Sequence, residues 1–148
     1  MTDLGNALTY LRAMLREDSE LAAKSLQAMN ERSWEDAGGF EVGAAFYIAA
    51  RRRFADADLA EIMTWVADLR AQLGTEADEV DPLKAEHLIR AMARQEMHLV
   101  EGMKPVEIAQ LELLLTARLL QEWNPTEAEL DRFFEEVRAL AAEWAQDD

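Results

Sequence analysis

Residues Glu107–Leu120 read EIAQLELLLTARLL, and this stretch decides the fold class. Wound as an α-helix, it leaves almost no polar side, because Ile108, Leu111, Leu113, Leu114, Leu115, Leu119 and Leu120 point all round the axis. A helix of that kind is buried by its neighbours. It is therefore expected to run through the middle of a helical domain. Glu41–Phe54, EVGAAFYIAARRRF, reads the same way.

The flanking segments are amphipathic. Leu59, Ile62, Val66, Leu69 and Leu73 repeat at helical spacing over 57–73, with Met63 beside them. Asp56 or Asp58 caps that helix and Gly74 stops it. TEADEVD, 75–81, reads as a polar linker. Asp81-Pro82 then reads as N-cap and first residue of a helix reaching about Glu101, with Gly102 as its stop. Pro105 opens the central helix and Trp123 closes it. Thr126 with Glu129 matches a capping box for the last helix, which carries Leu130, Phe133, Phe134, Val137, Leu140 and Trp144. Towards the N-terminus, Leu4, Leu8, Leu11 and Leu15 form one stripe after a cap at Asp3. Ser19 caps a second helix, which Trp34 and then Gly38-Gly39 follow.

The halves resemble each other. The stripe from Leu59 to Leu73 matches Leu130 to Trp144 at an offset of 71, Glu41-Val42 and Arg52 match Glu107-Ile108 and Arg118 at 66, and Ala28-Met29 and Gly39 match Ala91-Met92 and Gly102 at 63. The expectation is an all-α fold of about seven helices: an N-terminal helix and two tandem three-helix repeats, 18–74 and 81–146, packed as one bundle-like domain over 1–148. Units of ~60 residues bury too little surface to stand alone.

Composition narrows function by exclusion. Thirty acids against fifteen bases give a formal charge of −15, which disfavours nucleic acid and anionic membrane as partners. There is no cysteine, so disulfides, thiolate catalysis and thiolate metal sites are out. The start, MTDLGNALTYLRAML, carries no secretion signal, and the longest apolar run, Val42–Ala50, is nine residues. A cytoplasmic protein of bacterial tone is expected. No Gly-rich phosphate loop, GxSxG, HExxH or EF-hand order is present, and no cofactor or metal is expected.

Several residues nonetheless stand out. On one continuous helix His87 and His98 share a face, with Arg90 and Arg94 between them: an anion or effector site, or a pH-sensitive contact. The competing reading is the solvated side of an amphipathic helix. Glu96 would project from that helix's apolar face, with a raised pKa unless an arginine meets it. Arg51, Arg52 and Arg53 could clamp a phosphate or carboxylate, or simply complement a helix C-terminus. Glu41 with Arg52 and Glu107 with Arg118 could form a polar centre between the two buried helices, though the preferred reading is that each Glu suits a helix's first turn and each Arg a helix C-terminus. Trp34, Trp65, Trp123 and Trp144 read as core or core edge; of them Trp65, which falls beside its helix's main stripe, is the best candidate for an exposed interface anchor.

The function expected first is non-enzymatic: binding of a protein partner, or self-association as a homo-oligomer. An acidic inhibitor or immunity-type protein blocking a basic target is second, ranked lower because the acids are expected to be spread over every helix. A small-anion or effector-binding protein using the His87/Arg94/His98 face is third.

Overall fold

A computed structural model describes residues 5–31 and 39–146. Seven α-helices and no strand occur among the described residues: α1 (Gly5–Leu15), α2 (Ser19–Glu31), α3 (Gly39–Phe54), α4 (Leu59–Leu73), α5 (Pro82–Ala93), α6 (Pro105–Trp123) and α7 (Glu127–Gln146). The all-α expectation is right. Asp3, Leu4, Trp34 and Gly38 lie outside the described residues.

Most helix ends follow local chemistry. The Asp58 carboxylate accepts from the N–H of Glu61 at 2.9 Å, and Gly74 ends α4 at φ 60°. Asp81 accepts from Leu83 and Lys84, ahead of Pro82. Asn124 leaves α6 in the left-handed region. Thr126 and Glu129 exchange both capping bonds. At α2 the cap is Asp18, one residue before the expected Ser19: its carboxylate accepts from Leu21.

Two expectations fail. The 75–81 segment is no free linker: Gly74–Glu79 winds into a 3₁₀ turn, Arg70 donates to the Ala77 carbonyl at 3.2 Å, and Val80 is buried. The helix expected to reach Glu101 ends at Ala93. Gln95 takes φ 59°, the Glu96 N–H turns back to the Arg90 carbonyl, and a separate 3₁₀ turn spans Met97–Val100.

One connected core joins all seven helices. Its centre is the α3–α6 contact, so both stretches read as buried lie together. Small residues on α3 (Gly43, Ala44, Ala45, Ala49, Ala50) let neighbouring helices approach closely. α3 also meets α1, α5 and α7, while α6 also meets α1 and α5. The packing does not establish a duplication: α7 lies along α3, whereas its counterpart α4 lies chiefly along α5. α1 folds back on α2, with Leu8 and Leu11 fully buried within the same chain. Arg12 ties it to α7 through Glu127 at 3.0 Å and Asp131 at 2.7 Å.

Candidate functional site

α4 carries two large exposed apolar side chains, Leu59 and Met63. Its inner side buries Ile62, Trp65, Val66 and Leu69. Periodicity places Leu59 and Met63 inside and Trp65 outside; the structure reverses this. Trp65 is 8% exposed, packed edge-on against Phe54 at 5.4 Å between centroids. Its indole N–H donates to Glu122 Oε2 at 2.7 Å, which satisfies the one polar atom the ring brings inside. Trp65 is thus an internal anchor, not an exposed one. Leu59 and Met63 are 43% and 48% exposed.

Beside them the outer surface of α4 is made of exposed Ala60, Thr64, Ala67 and Ala71, at spacings of three and four residues. On its far edge stand Glu61 and Asp68, also exposed. Beyond Asp68 a groove of about 300 Å³ runs between α4 and α6, lined by Trp65, Asp68, Leu69, Gln72, Arg118, Gln121 and Glu122. Large apolar side chains on one edge, a flat middle and carboxylates on the other make a helix-sized shelf.

Acids occur on six of the seven helices, much as expected, and one run of them falls in the segment that contains α4. From 56 to 81 the chain carries Asp56, Asp58, Glu61, Asp68, Glu76, Asp78, Glu79 and Asp81 against Arg70 alone. A second surplus lies on α7, and α1 partly offsets it. Arg12 and Arg16 both engage Glu127, and Arg12 also engages Asp131. Glu135, Glu136 and Glu143 stand exposed on the same helix.

The residues singled out around His87 do not share one helix face, because α5 ends before Arg94 and His98 sits on the 3₁₀ turn. Glu96 is not on an apolar face. It caps that turn and takes Arg90 in a two-pronged pair, at 3.1 Å from Nε and 3.0 Å from Nη2. That hydrogen bonding holds the Glu96 carboxyl below its usual range, the reverse of a buried lone acid. Arg94, whose Nε stands 3.9 Å from the same carboxylate, donates to the Ala57 carbonyl at 2.9 Å, fastening the α5 end to the entry of α4. The chain's own carboxylate therefore occupies Arg90, the cation nearest the centre of the expected anion face.

Arg51, Arg52 and Arg53 diverge. Arg51 lies over Tyr47 at 5.2 Å, Arg52 over Trp123 at 3.6 Å, and Arg53 Nε donates to Glu122 at 2.5 Å. They do not converge as a clamp. Neither Glu41 with Arg52 nor Glu107 with Arg118 forms a pair: Glu107, in the first turn of α6, pairs with Lys84, and Arg118 donates to Gln121. A smaller groove beside Arg52, about 170 Å³, mixes Arg132 with Glu129 and Glu136.

One functional candidate is missing from the sequence reading. Glu112 on α6 is buried, and burial pushes its carboxyl up to about 7. The signal for it is a lone acid flanked by Leu111 and Leu113 in the most apolar helix. Among the described residues no group of three or more His, Asp or Glu could hold a metal ion, and no helix is long and apolar enough to cross a membrane.

No family model, curated protein or solved structure matches this chain.

Proposed function

We propose that this protein acts by binding, and that the shelf on α4 docks a basic, amphipathic helix of a protein partner. The observation that carries the reading is the pairing of exposed Leu59 and Met63 with an acidic edge at Glu61 and Asp68 across a strip of alanines. Small side chains allow a second helix to lie close, since interhelical distance follows the residues at the contact. Apolar residues of that helix would cover Leu59 and Met63, and its lysines or arginines would meet the carboxylates.

A second copy of the chain fits this face less well. Self-pairing would set the acidic edges in one strongly negative field, in a protein already at −15. Charge complementarity selects a basic occupant. The two leading expectations from sequence, a protein partner and a basic target, then describe one and the same contact.

The test uses an idealised Leu/Lys helical peptide, with a scrambled peptide of the same composition as control. Backbone amide shifts should change along 59–71 with the first peptide and not with the second. Ala67→Tyr, which adds bulk without charge, should weaken binding about tenfold or more. Shifts scattered over the acidic surface, equal for both peptides and indifferent to Ala67→Tyr, would refute the shelf. Light scattering over a dilution series supplies the rival outcome, because a dimer that persists on dilution would put a second copy there.

A further inference from the structure

The groove between α4 and α6 brings together two opposite charges that do not pair. α4 packs chiefly on α5, and α6 on α3, so these two helices meet through side chains, at the hydrogen bond from Trp65 to Glu122. Asp68 and Gln72 stand on the α4 side of the groove, Arg118 and Gln121 on the α6 side, and the buried Trp65 and Leu69 give it an apolar floor. Its volume, about 300 Å³, lies at the lower end of small-molecule sites, roughly 300–1,000 Å³.

Three charged side chains line the groove, and one of them is already satisfied. Both oxygens of Glu122 are engaged, Oε2 by Trp65 and Oε1 by Arg53. Asp68 has no hydrogen-bond or ion-pair partner among the described residues, and Arg118 pairs with no carboxylate there. Arg90 is the contrast, since the chain's own Glu96 occupies it. Arg118 is nonetheless held in place. Its Nη1 donates to Gln121 Oε1 at 3.1 Å, and Gln121 Nε2 donates in turn to the Met14 carbonyl of α1 at 3.4 Å. That relay leaves the Nε–Nη2 edge of the guanidinium without a partner among the described residues. Such an edge is the fork that grips a carboxylate by two parallel bonds. A group already held in its bound position has less freedom to lose on binding.

We propose that this groove binds a small zwitterion of the amino-acid class, its carboxylate on Arg118, its ammonium on Asp68 and its carbon chain over Trp65 and Leu69. A lone anion would meet Asp68 and the field of a chain at −15. A lone cation would meet Arg118. A ligand with both charges and no net charge is complementary to both sides. The inference goes beyond the docking reading, with which it shares Asp68.

The experiment titrates the full chain with amino acids of increasing length, from glycine to ε-aminocaproate. It follows the Trp65 indole cross-peak in ¹H–¹⁵N spectra, assigned by its loss in Trp65→Phe. At least one member should shift that peak to saturation, with half-saturation at about 10 mM or below. Its N-acetyl and methyl-ester forms, each lacking one charge, should bind about tenfold more weakly or worse. Arg118→Gln and Asp68→Asn should each cost about tenfold, and Arg118→Lys, which keeps the charge and loses the fork, should also weaken binding. Leu59→Ser, on the shelf and outside the groove, should leave the affinity unchanged, so the groove and the shelf fail separately. No saturable shift with any member overturns the proposal. So does a shift that persists in both Arg118→Gln and Asp68→Asn. An ester that binds as well as its parent amino acid also overturns it, and would make the groove a cation pocket.

Discussion

Trp65 and Glu122 are joined by a 2.7 Å hydrogen bond from the indole N–H to Oε2, while Arg53 holds the other oxygen at 2.5 Å. One carboxylate therefore links α3, α4 and α6, and it fixes which side of α4 faces outward. Glu122→Ala should destabilise the fold by about 1–2 kcal/mol, because it leaves the part-buried indole N–H without its acceptor. Urea denaturation of the variant beside Trp65→Phe checks this. If the shared bond is the cause, Glu122→Ala should cost little more in a Trp65→Phe background.

Gln95 sits at φ 59° where a glycine would be at ease. Gln95→Gly should stabilise the protein by about 0.5–1 kcal/mol, the strain relieved outweighing the added freedom of the unfolded chain. The thermal midpoint should rise; a fall would mean that the Gln95 side chain contributes contacts of its own.

Burial separates two leucines of equal size. Leu115 is fully buried on α6, whereas Leu83 at the start of α5 is 57% exposed. Leu115→Ala should lose about 2–5 kcal/mol through transfer and cavity terms. Leu83→Ala should stay within about 0.5 kcal/mol of the parent. Paired denaturation curves decide it.

Glu112 also predicts how stability depends on pH. Its carboxyl lies at about 7 in the folded chain against 4.5 as the ordinary value. Between these values the folded state holds a proton that the unfolded state has released. Stability should therefore decline as pH rises from 4.5 towards 7 and then level off, by a total of about 3 kcal/mol. Glu96, held low by Arg90, acts with the opposite sign and at lower pH: its contribution is present above the ordinary carboxyl value and is lost on acidification. The difference between the parent and Glu112→Gln isolates the Glu112 contribution. A difference that does not vary with pH would rule out the buried acid as its source.

The sequence by itself determined the helices and most of their ends. Asp58, Gly74, Asp81-Pro82, Asn124 and the Thr126–Glu129 box act on backbone groups within a few residues, so their effect is written locally. It also marked α3 and α6 as the inner pair, because a helix with no polar side has nowhere else to go. Only the tertiary structure decided the rest. Rotating α4 slightly about its axis breaks no local bond, yet it exchanges Trp65 for Leu59 and Met63 at the surface; the choice belongs to Phe54 and Glu122, which lie on other helices. The end of α5 carries no glycine or proline, and it is fixed by Arg90 folding onto Glu96 and Arg94 reaching Ala57. Glu112 became a buried acid because α6 packs against α3, where Gly43 leaves bare backbone beside the carboxyl. Local bonds can be read along a chain, whereas burial depends on which distant surfaces meet.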